Sequence, residues 1–249
     1  MLKHKKLLLF FFVIPAVAIV IALWYFHSIR IIRLDHEGFT LWLDCGRRGA
    51  VKFRYVAKAD KGNLDRLHMF SFDPQVSADC QQTSTALYVY PGVHYDRGHL
   101  VPANHFDHSL KALKQTNYIT NILPMTLEVN RGAWLRTEEL IECYRDQSTL
   151  LVVGGVIWGS NKADDYFLKS HTVATPDAFW KVVLEGTERV IAWVVPNTKE
   201  ATRAHLDNYL ISVADLEKRI GEKIDDVPVV LKKSKSPSTW PLSAKCNKS

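Results

Sequence analysis

Four consecutive residues, Asp96-Arg97-Gly98-His99, place a candidate base next to a candidate anion-binding group. Histidine accepts protons near neutral pH because its unperturbed pKa is about 6.5. The guanidinium of Arg97 has the fork geometry that binds phosphate through two hydrogen bonds. Gly98 permits a tight backbone between Arg97 and His99. We interpret Asp96 as a residue that ties down the local backbone. The segment indicates base chemistry on an anionic substrate.

Polar residues downstream are of the types that could complete the site that begins with Arg97 and His99. Asn121 lies three residues before Pro124, Asn130 begins a predicted helix, and Glu138 follows on that helix. A regular helix rotates Glu138 from Asn130 by roughly 80°, so both side chains can face one site. Amide and carboxylate oxygens are hard ligands that suit hydrated Mg²⁺ better than zinc. A base, a cation and an arginine are what phosphodiester hydrolysis requires.

The ordered set of motifs resembles the DNA/RNA non-specific endonuclease family, which includes secreted bacterial nucleases and mitochondrial endonuclease G. The resemblance covers about residues 39 to 220 and rests on Asp96-Arg97-Gly98-His99, Asn121-x-x-Pro124, Asn130-x-x-x-Trp134 and Glu138. It implies an α+β fold in which a ββα-metal (His-Me) finger is set on an antiparallel sheet. The implied activity is metal-dependent cleavage of DNA and RNA without sequence specificity, leaving 5′-phosphate ends.

The resemblance also implies a role for each matching residue. His99 would activate the water, Arg97 would contact the phosphate, and Asn121 would support the site from beside His99. Asn130 would be the direct ligand of a hydrated Mg²⁺ or Mn²⁺, and Glu138 would hold the waters bound to the metal. Trp134 is expected to anchor the helix in the core.

Two positions are less well defined by the resemblance. The family has a second, upstream arginine in a loop, for which Arg66 is the best match and Arg47, Arg48 and Arg54 stay open. The family usually has Gln after the proline of the Asn-x-x-Pro motif, whereas this chain has Met125. The substitution removes a supporting polar contact and leaves the base and the metal ligands in place.

Strands and one amphipathic helix are expected to position these residues. Alternating apolar residues and β-branched or aromatic content predict strands, and Ser212 opens a short helix that ends at Gly221. Apolar residues at helical spacing predict a helix over Ala133 to Tyr144. The predicted strands cover residues 39–43, 50–56, 86–90, 150–158, 179–184 and 190–195, with a long loop over 57–84.

The N-terminus carries an uncharged apolar run from Leu7 to Phe26 behind the basic residues Lys3, Lys5 and Lys6. Its 20 residues match the thickness of one bilayer. The basic start and the absence of an Ala-x-Ala site favour an uncleaved transmembrane anchor with the catalytic domain outside the cytoplasm, periplasmic or extracellular. Cleavage as a signal peptide, which would give a secreted protein, is the alternative.

The four cysteines follow this run and form no Cys-x-x-Cys pair, which argues against a zinc site. An even number of cysteines in an exported domain suits two disulfides. Of the three possible connectivities, we favour Cys45–Cys80 and Cys143–Cys246.

The overall charge is weak evidence for a nucleic-acid partner. The net charge is +6, and without the three N-terminal lysines 29 basic residues face 26 acidic ones. Phosphate binding must therefore come from local placement of Arg and Lys. The predicted organisation is an anchor at 1–33, an endonuclease domain at 34–231 and a loose basic tail at 232–249.

Other functions remain compatible with the sequence. The main alternative is a catalytically silent, membrane-tethered module that binds nucleic acid, and a weaker one is a phosphodiesterase for small nucleotides. The sequence leaves open whether the chain forms a homodimer or has an inhibitor protein.

Overall fold

The computed structural model describes residues 31–89, 95–160, 174–242 and 246. Their main element is a six-stranded antiparallel sheet in the order β1-β2-β3-β6-β7-β8. A separate ribbon pairs β4 with β5. The strands are β1 (Ile31–Asp35), β2 (Phe39–Asp44), β3 (Gly49–Ala57), β4 (Tyr95–His99), β5 (Ile122–Thr126), β6 (Leu150–Ile157), β7 (Ala178–Glu185) and β8 (Arg189–Pro196).

Four α-helices and several shorter turns complete the described part of the chain. The helices are α1 (Leu110–Thr116), α2 (Trp134–Arg145), α3 (Val213–Ile220) and α4 (Val229–Lys232). A π-helical turn, Val129–Ala133, leads directly into α2. The 3₁₀ turns are Ala78–Cys80, Ala86–Val89, Ala103–Phe106, Ile119–Asn121 and Arg203–Tyr209.

Both faces of the large sheet are covered, because its strand side chains alternate between two apolar layers. On one face Phe53 and Phe179 pack with Trp134 of α2, their ring centroids lying 6.3 and 5.6 Å from its own. On the other face Trp180 belongs to a second cluster that includes Leu216 of α3. The sheet therefore supports α2, whose other side is available for chemistry.

The sequence predicted most of these elements correctly. The strands at 39–43, 50–56, 150–158, 179–184 and 190–195 are present with shifts of one residue at their ends, while β1, β4 and β5 were not predicted as strands. Ser212 caps α3 by accepting a hydrogen bond from the Asp215 amide, and Gly221 ends it with φ of 70°. The β4-β5 ribbon followed by α2 forms a ββα unit.

One prediction of local structure is wrong, and one correctly predicted helix has an unexpected start. Residues 86–90 were expected to form a strand, but Ala86–Val89 is a 3₁₀ turn. The Tyr88 amide bonds to the Thr85 carbonyl, and the Tyr88 hydroxyl donates to Gln82 Oε1 at 3.0 Å, so local bonds replace strand pairing. The helix predicted from Ala133 is preceded by the π turn, a change of winding that apolar spacing does not reveal.

The tail is not uniformly loose. Trp240 is buried and its ring centroid lies 5.2 Å from that of Tyr144, whose hydroxyl donates to the Pro241 carbonyl at 2.9 Å. Both predicted disulfides, Cys45–Cys80 and Cys143–Cys246, are present. The second ties the tail to α2, which explains the packing.

No helix within the described residues has the length and apolar character needed to span a bilayer. The predicted anchor at 7–26 lies outside the described part of the chain.

Candidate active site

The ββα unit holds the backbone of His99 from two sides. His99 ends β4, where it pairs with Ile122 of β5. From α2, the indole Nε1 of the buried Trp134 donates a hydrogen bond of 3.0 Å to the His99 carbonyl. Trp134 is thus the core anchor expected from the sequence, and it couples the helix to the base.

Gly98 serves close packing between the two strands of the ribbon. A Cβ built at this position would lie 2.3 Å from Met125 Cγ and 2.9 Å from Met125 Cβ. Met125 is fully buried. Instead of a polar support, the Met125 position supplies apolar packing directly behind His99.

The His99 imidazole is fixed by Asn117, a residue that the sequence analysis missed. His99 Nε2 lies 2.9 Å from Asn117 Oδ1. The Asn117 amide nitrogen donates to the carbonyls of Leu67 at 2.9 Å and Met69 at 3.3 Å, so Oδ1 must be the acceptor toward His99. The ring proton therefore sits on Nε2, and Nδ1 is left to accept a proton.

Burial lowers the pKa of His99 to about 4. The hydrogen bond to Asn117 opposes this shift, while the positive charges of Arg66 and Arg97 add to it. The ring is consequently neutral at pH 7, the form that a general base needs. The negative charge of a bound phosphodiester would raise this pKa toward neutrality.

A cavity of about 340 Å³ gathers most of the predicted site residues. Four of the six predicted residues line it: Arg66, His99, Asn130 and Glu138. Arg97 and Asn121 do not. The remaining lining comes from α2, the turn before it and the chain after His99: Pro102, Ala103, Asn104, Arg131, Leu135, Glu139 and Glu142.

Asp96 orients the predicted metal ligand Asn130. The Asn130 amide nitrogen donates to Asp96 Oδ2 at 2.9 Å. This bond leaves the Asn130 Oδ1, a hard oxygen, available to bind a cation. Arg131 holds the same carboxylate through two hydrogen bonds of 2.7 Å. Burial opposes ionisation of Asp96, but these bonds outweigh it and lower the pKa. Asp96 therefore fixes the side chains of Asn130 and Arg131.

Carboxylates from α2 form the acidic wall of the cavity. Burial raises the pKa of Glu138 to about 7, an effect that the charges of Lys181 and Arg66 oppose. Burial likewise raises the pKa of Glu142 to about 7, although Asn104 donates to it at 2.8 Å. A divalent cation bound nearby would favour the ionised form. The oxygens of Asn130 and Glu138 therefore fit a hydrated Mg²⁺ or Mn²⁺.

Lys181 on β7 was also not found from the sequence. It is fully buried beneath α2, where its ammonium donates to Thr137 Oγ1 at 2.7 Å and lies 3.7 Å from the Trp134 ring centroid. Burial lowers its pKa to about 8, while the charges of Glu138 and Glu142 act in the opposite direction. In the sequence Lys181 is one lysine inside an apolar strand, with nothing to mark it.

The arginines differ in their relation to the cavity. Arg66 is the one of the four upstream candidates that lines it. Arg47 pairs with Asp44 at 2.8 Å and Arg54 with Asp226 at 2.9 Å. The guanidinium of Arg97 lies over the Phe70 ring, 4.8 Å from its centroid. Phe70 is in turn 5.7 Å from the His99 ring, measured between centroids.

Asn121 braces the chain without touching the imidazole. Its Oδ1 accepts from the Val101 amide at 2.9 Å, and its amide nitrogen donates to the Val101 and Thr116 carbonyls, each at 2.8 Å. It therefore supports the backbone that follows His99.

The chain is similar in sequence to several known nucleases. Mouse mitochondrial nuclease EXOG is 31% identical over 179 residues, covering 64% of this chain and 47% of its own. Human mitochondrial endonuclease G is 28% identical over 205 residues, covering 75% and 67%. Nuclease C1 of Cunninghamella echinulata var. echinulata is 30% identical over 171 residues, covering 64% and 67%. The chain thus spans about half the length of the EXOG relatives.

Structural similarity extends over nearly the whole fold. A chain from the crystal structure of the EndoG/EndoGI complex superposes with a TM-score of 0.64 at 21% identity, covering 84% of this chain and 93% of that one. At this identity the likeness shows the fold. The sequence profile of the DNA/RNA non-specific endonucleases matches residues 28–228. The chain belongs to the DNA/RNA non-specific endonuclease family.

Proposed function

We propose that this protein is a metal-dependent endonuclease that hydrolyses phosphodiester bonds in DNA and RNA without sequence specificity. One observation carries the proposal: a neutral histidine with Nδ1 left to accept a proton lines the same cavity as Asn130 and Glu138. Family membership and the names of the relatives support nuclease activity.

In the proposed reaction, His99 Nδ1 removes a proton from the attacking water. The new positive charge on the imidazole is held by Asn117 Oδ1 through the Nε2 proton. Arg66 and Arg97 bind the phosphate and offset the charge that grows on its oxygens. Asn121 keeps the backbone after His99 in place.

Asn130 and Glu138 would hold the Mg²⁺ or Mn²⁺. When bound, the cation supplies positive charge to the scissile phosphate and the departing 3′ oxygen. The residues proposed to bind substrate are directed at phosphate, and phosphate contacts carry no direct sequence information. This accounts for activity on both DNA and RNA.

The test is cleavage of plasmid DNA and of RNA by the purified chain, with Mg²⁺, Mn²⁺ or EDTA, alongside the His99→Ala variant. We expect metal-dependent cleavage that falls by at least about 10²-fold in the variant because the base is lost. His108→Ala is the matched control, since His108 is exposed and does not line the cavity.

Activity in EDTA, or full activity of His99→Ala, would contradict the mechanism. Binding of DNA without cleavage in Mn²⁺ would favour the silent binding module, and cleavage of dinucleotides alone would favour the small-nucleotide phosphodiesterase.

We further propose that the N-terminal apolar run anchors the protein with its catalytic part outside the cytoplasm. The two disulfides support this location, because they persist in oxidising compartments. Membrane fractionation with a carbonate wash, followed by protease treatment of intact cells, tests it. Extraction by carbonate or four reduced cysteines in the isolated protein would overturn it.

A further inference from the structure

Two large apolar side chains in the loop that carries Arg66 are left in water. Met69 is 83% exposed and Phe72 is 53% exposed. Both lie in the long loop that precedes β4. We call this pair the apolar rim.

The backbone of the rim is fixed, so the exposure belongs to an ordered surface. The Met69 carbonyl accepts from the Asn117 amide nitrogen at 3.3 Å. Between the two rim residues, Ser71 forms a bridge to Tyr118, in which the Ser71 amide donates to the Asn117 carbonyl and the Ile119 amide donates to the Ser71 carbonyl. Holding apolar groups in water is unfavourable, and core packing does not require it here.

The same loop supplies one of the two arginines that are proposed to bind phosphate, Arg66, which lines the cavity. Phe70 of this loop contacts both the Arg97 guanidinium of β4 and the His99 ring. The Asn117 side chain joins the rim to the base, because it contacts both the Met69 carbonyl and His99 Nε2. The backbone of the rim is therefore linked to the site through one side chain, Asn117.

We propose that Met69 and Phe72 contact the bases that flank the scissile phosphate of a bound strand. This inference rests on the proposed function. Two guanidinium groups attract the backbone, and an apolar border next to them suits the faces of bases. Contacts between aromatic rings and base faces tolerate any sequence, as an enzyme without sequence readout requires.

The first test compares the Met69→Ser/Phe72→Ser double variant with the wild-type chain on two substrates. On single-stranded polynucleotide we expect kcat/KM to fall about tenfold, mainly through KM, because contacts made equally before and during the reaction are lost. On single-stranded DNA made of abasic residues, which has phosphates but no bases or other rings, we expect no change. Phe72→Trp should keep the polynucleotide activity.

The matched control is Val229→Ser/Val230→Ser. These residues are 78% and 84% exposed, but they lie on α4, which is adjacent to α3 on the other face of the sheet. Unchanged polynucleotide kinetics in the rim variant would overturn the proposal and leave the rim for a protein partner. An equal loss on both substrates would also overturn it.

A binding measurement separates this proposal from the proposed function. In EDTA, the His99→Ala chain is titrated with single-stranded DNA that carries 2-aminopurine, and fluorescence quenching is recorded. We expect the rim substitutions to weaken binding about tenfold and to reduce quenching. Equal affinity and quenching would overturn the base contact, whether or not the wild-type chain cleaves DNA.

Discussion

At the scale of single residues, Asn117 determines which nitrogen of His99 can act as the base. Its amide group is oriented by two carbonyls, so its oxygen accepts the proton of Nε2. A histidine that could exchange tautomers would present the wrong nitrogen part of the time. Asn117 is thus a positioning residue that acts through His99.

Replacing Asn117 with Ala removes this acceptor. We expect kcat on DNA to fall about 10- to 100-fold because the ring loses its orientation. The Asn117 hydrogen bond raises the pKa of His99. Its loss should therefore move the acid limb of the profile of kcat/KM against pH to lower pH, which a series of buffers can measure.

The Asn117→Asp variant reverses the sign of this effect. A carboxylate next to Nε2 stabilises the imidazolium, so the acid limb should move to higher pH. Asn208→Ala, at an exposed asparagine, is the control and should leave the profile unchanged. Acid limbs that move in the same direction in both Asn117 variants would rule out the assigned role.

At the scale of elements, the junction between the β4-β5 ribbon and α2 builds the predicted metal site. The π turn places Asn130 and Arg131 beside Asp96 of β4. A π turn within a helix frequently marks a functional site, because it changes which side chains face the same way. Here it directs Asn130 into the cavity that Glu138 lines.

Replacing Asp96 with Asn weakens this junction while conserving side-chain size. The charged partner of Arg131 is lost, and the Asn130 amide is no longer held in one orientation. We expect the affinity for Mn²⁺, measured by isothermal titration calorimetry, to fall about tenfold or more.

The control for Asp96→Asn is Asp215→Asn on α3, where the carboxylate pairs with Lys218 at 2.9 Å, away from the cavity. If both variants bind Mn²⁺ as the wild-type chain does, Asp96 has no part in orienting the ligand.

At the scale of the whole molecule, two disulfides close loops of different length. Cys45–Cys80 spans 35 residues and Cys143–Cys246 spans 103. A longer closed loop removes more entropy from the unfolded chain. The second disulfide also holds the packed tail against α2.

Removing Cys143–Cys246 with paired serines should destabilise the protein more than removing Cys45–Cys80. The entropy of loop closure gives ceilings of about 4.7 and about 3.8 kcal/mol for the two losses. Denaturant unfolding of both variants measures the free energy of unfolding. As a control, the wild-type chain and both variants are all unfolded in reducing agent. The greater stability of the wild-type chain should then vanish, because no chain keeps a disulfide. A larger loss from the Cys45–Cys80 pair would contradict the expectation.

The sequence by itself determined five of the six strands of the large sheet and the helix that carries Glu138. It also predicted that His99 and the Asn130 region share a site. Alternation and helical spacing record which side of an element is buried, and they depend only on neighbours along the chain. The short motifs around His99, Asn130 and Glu138 identified the family, because they too can be recognised from neighbouring residues along the chain. Most of the catalytic framework lies in them.

Only the tertiary structure decided which distant groups meet around the candidate site. Asn117 is 18 residues away in sequence, Arg66 arrives from an irregular loop, and Lys181 rises from the sheet below. Irregular backbone has no period from which its path can be inferred, and a hydrogen bond across such distances depends on how loops pack. The base and the metal ligands therefore stay predictions from the motifs, while the fold brings together the residues that would orient and charge them.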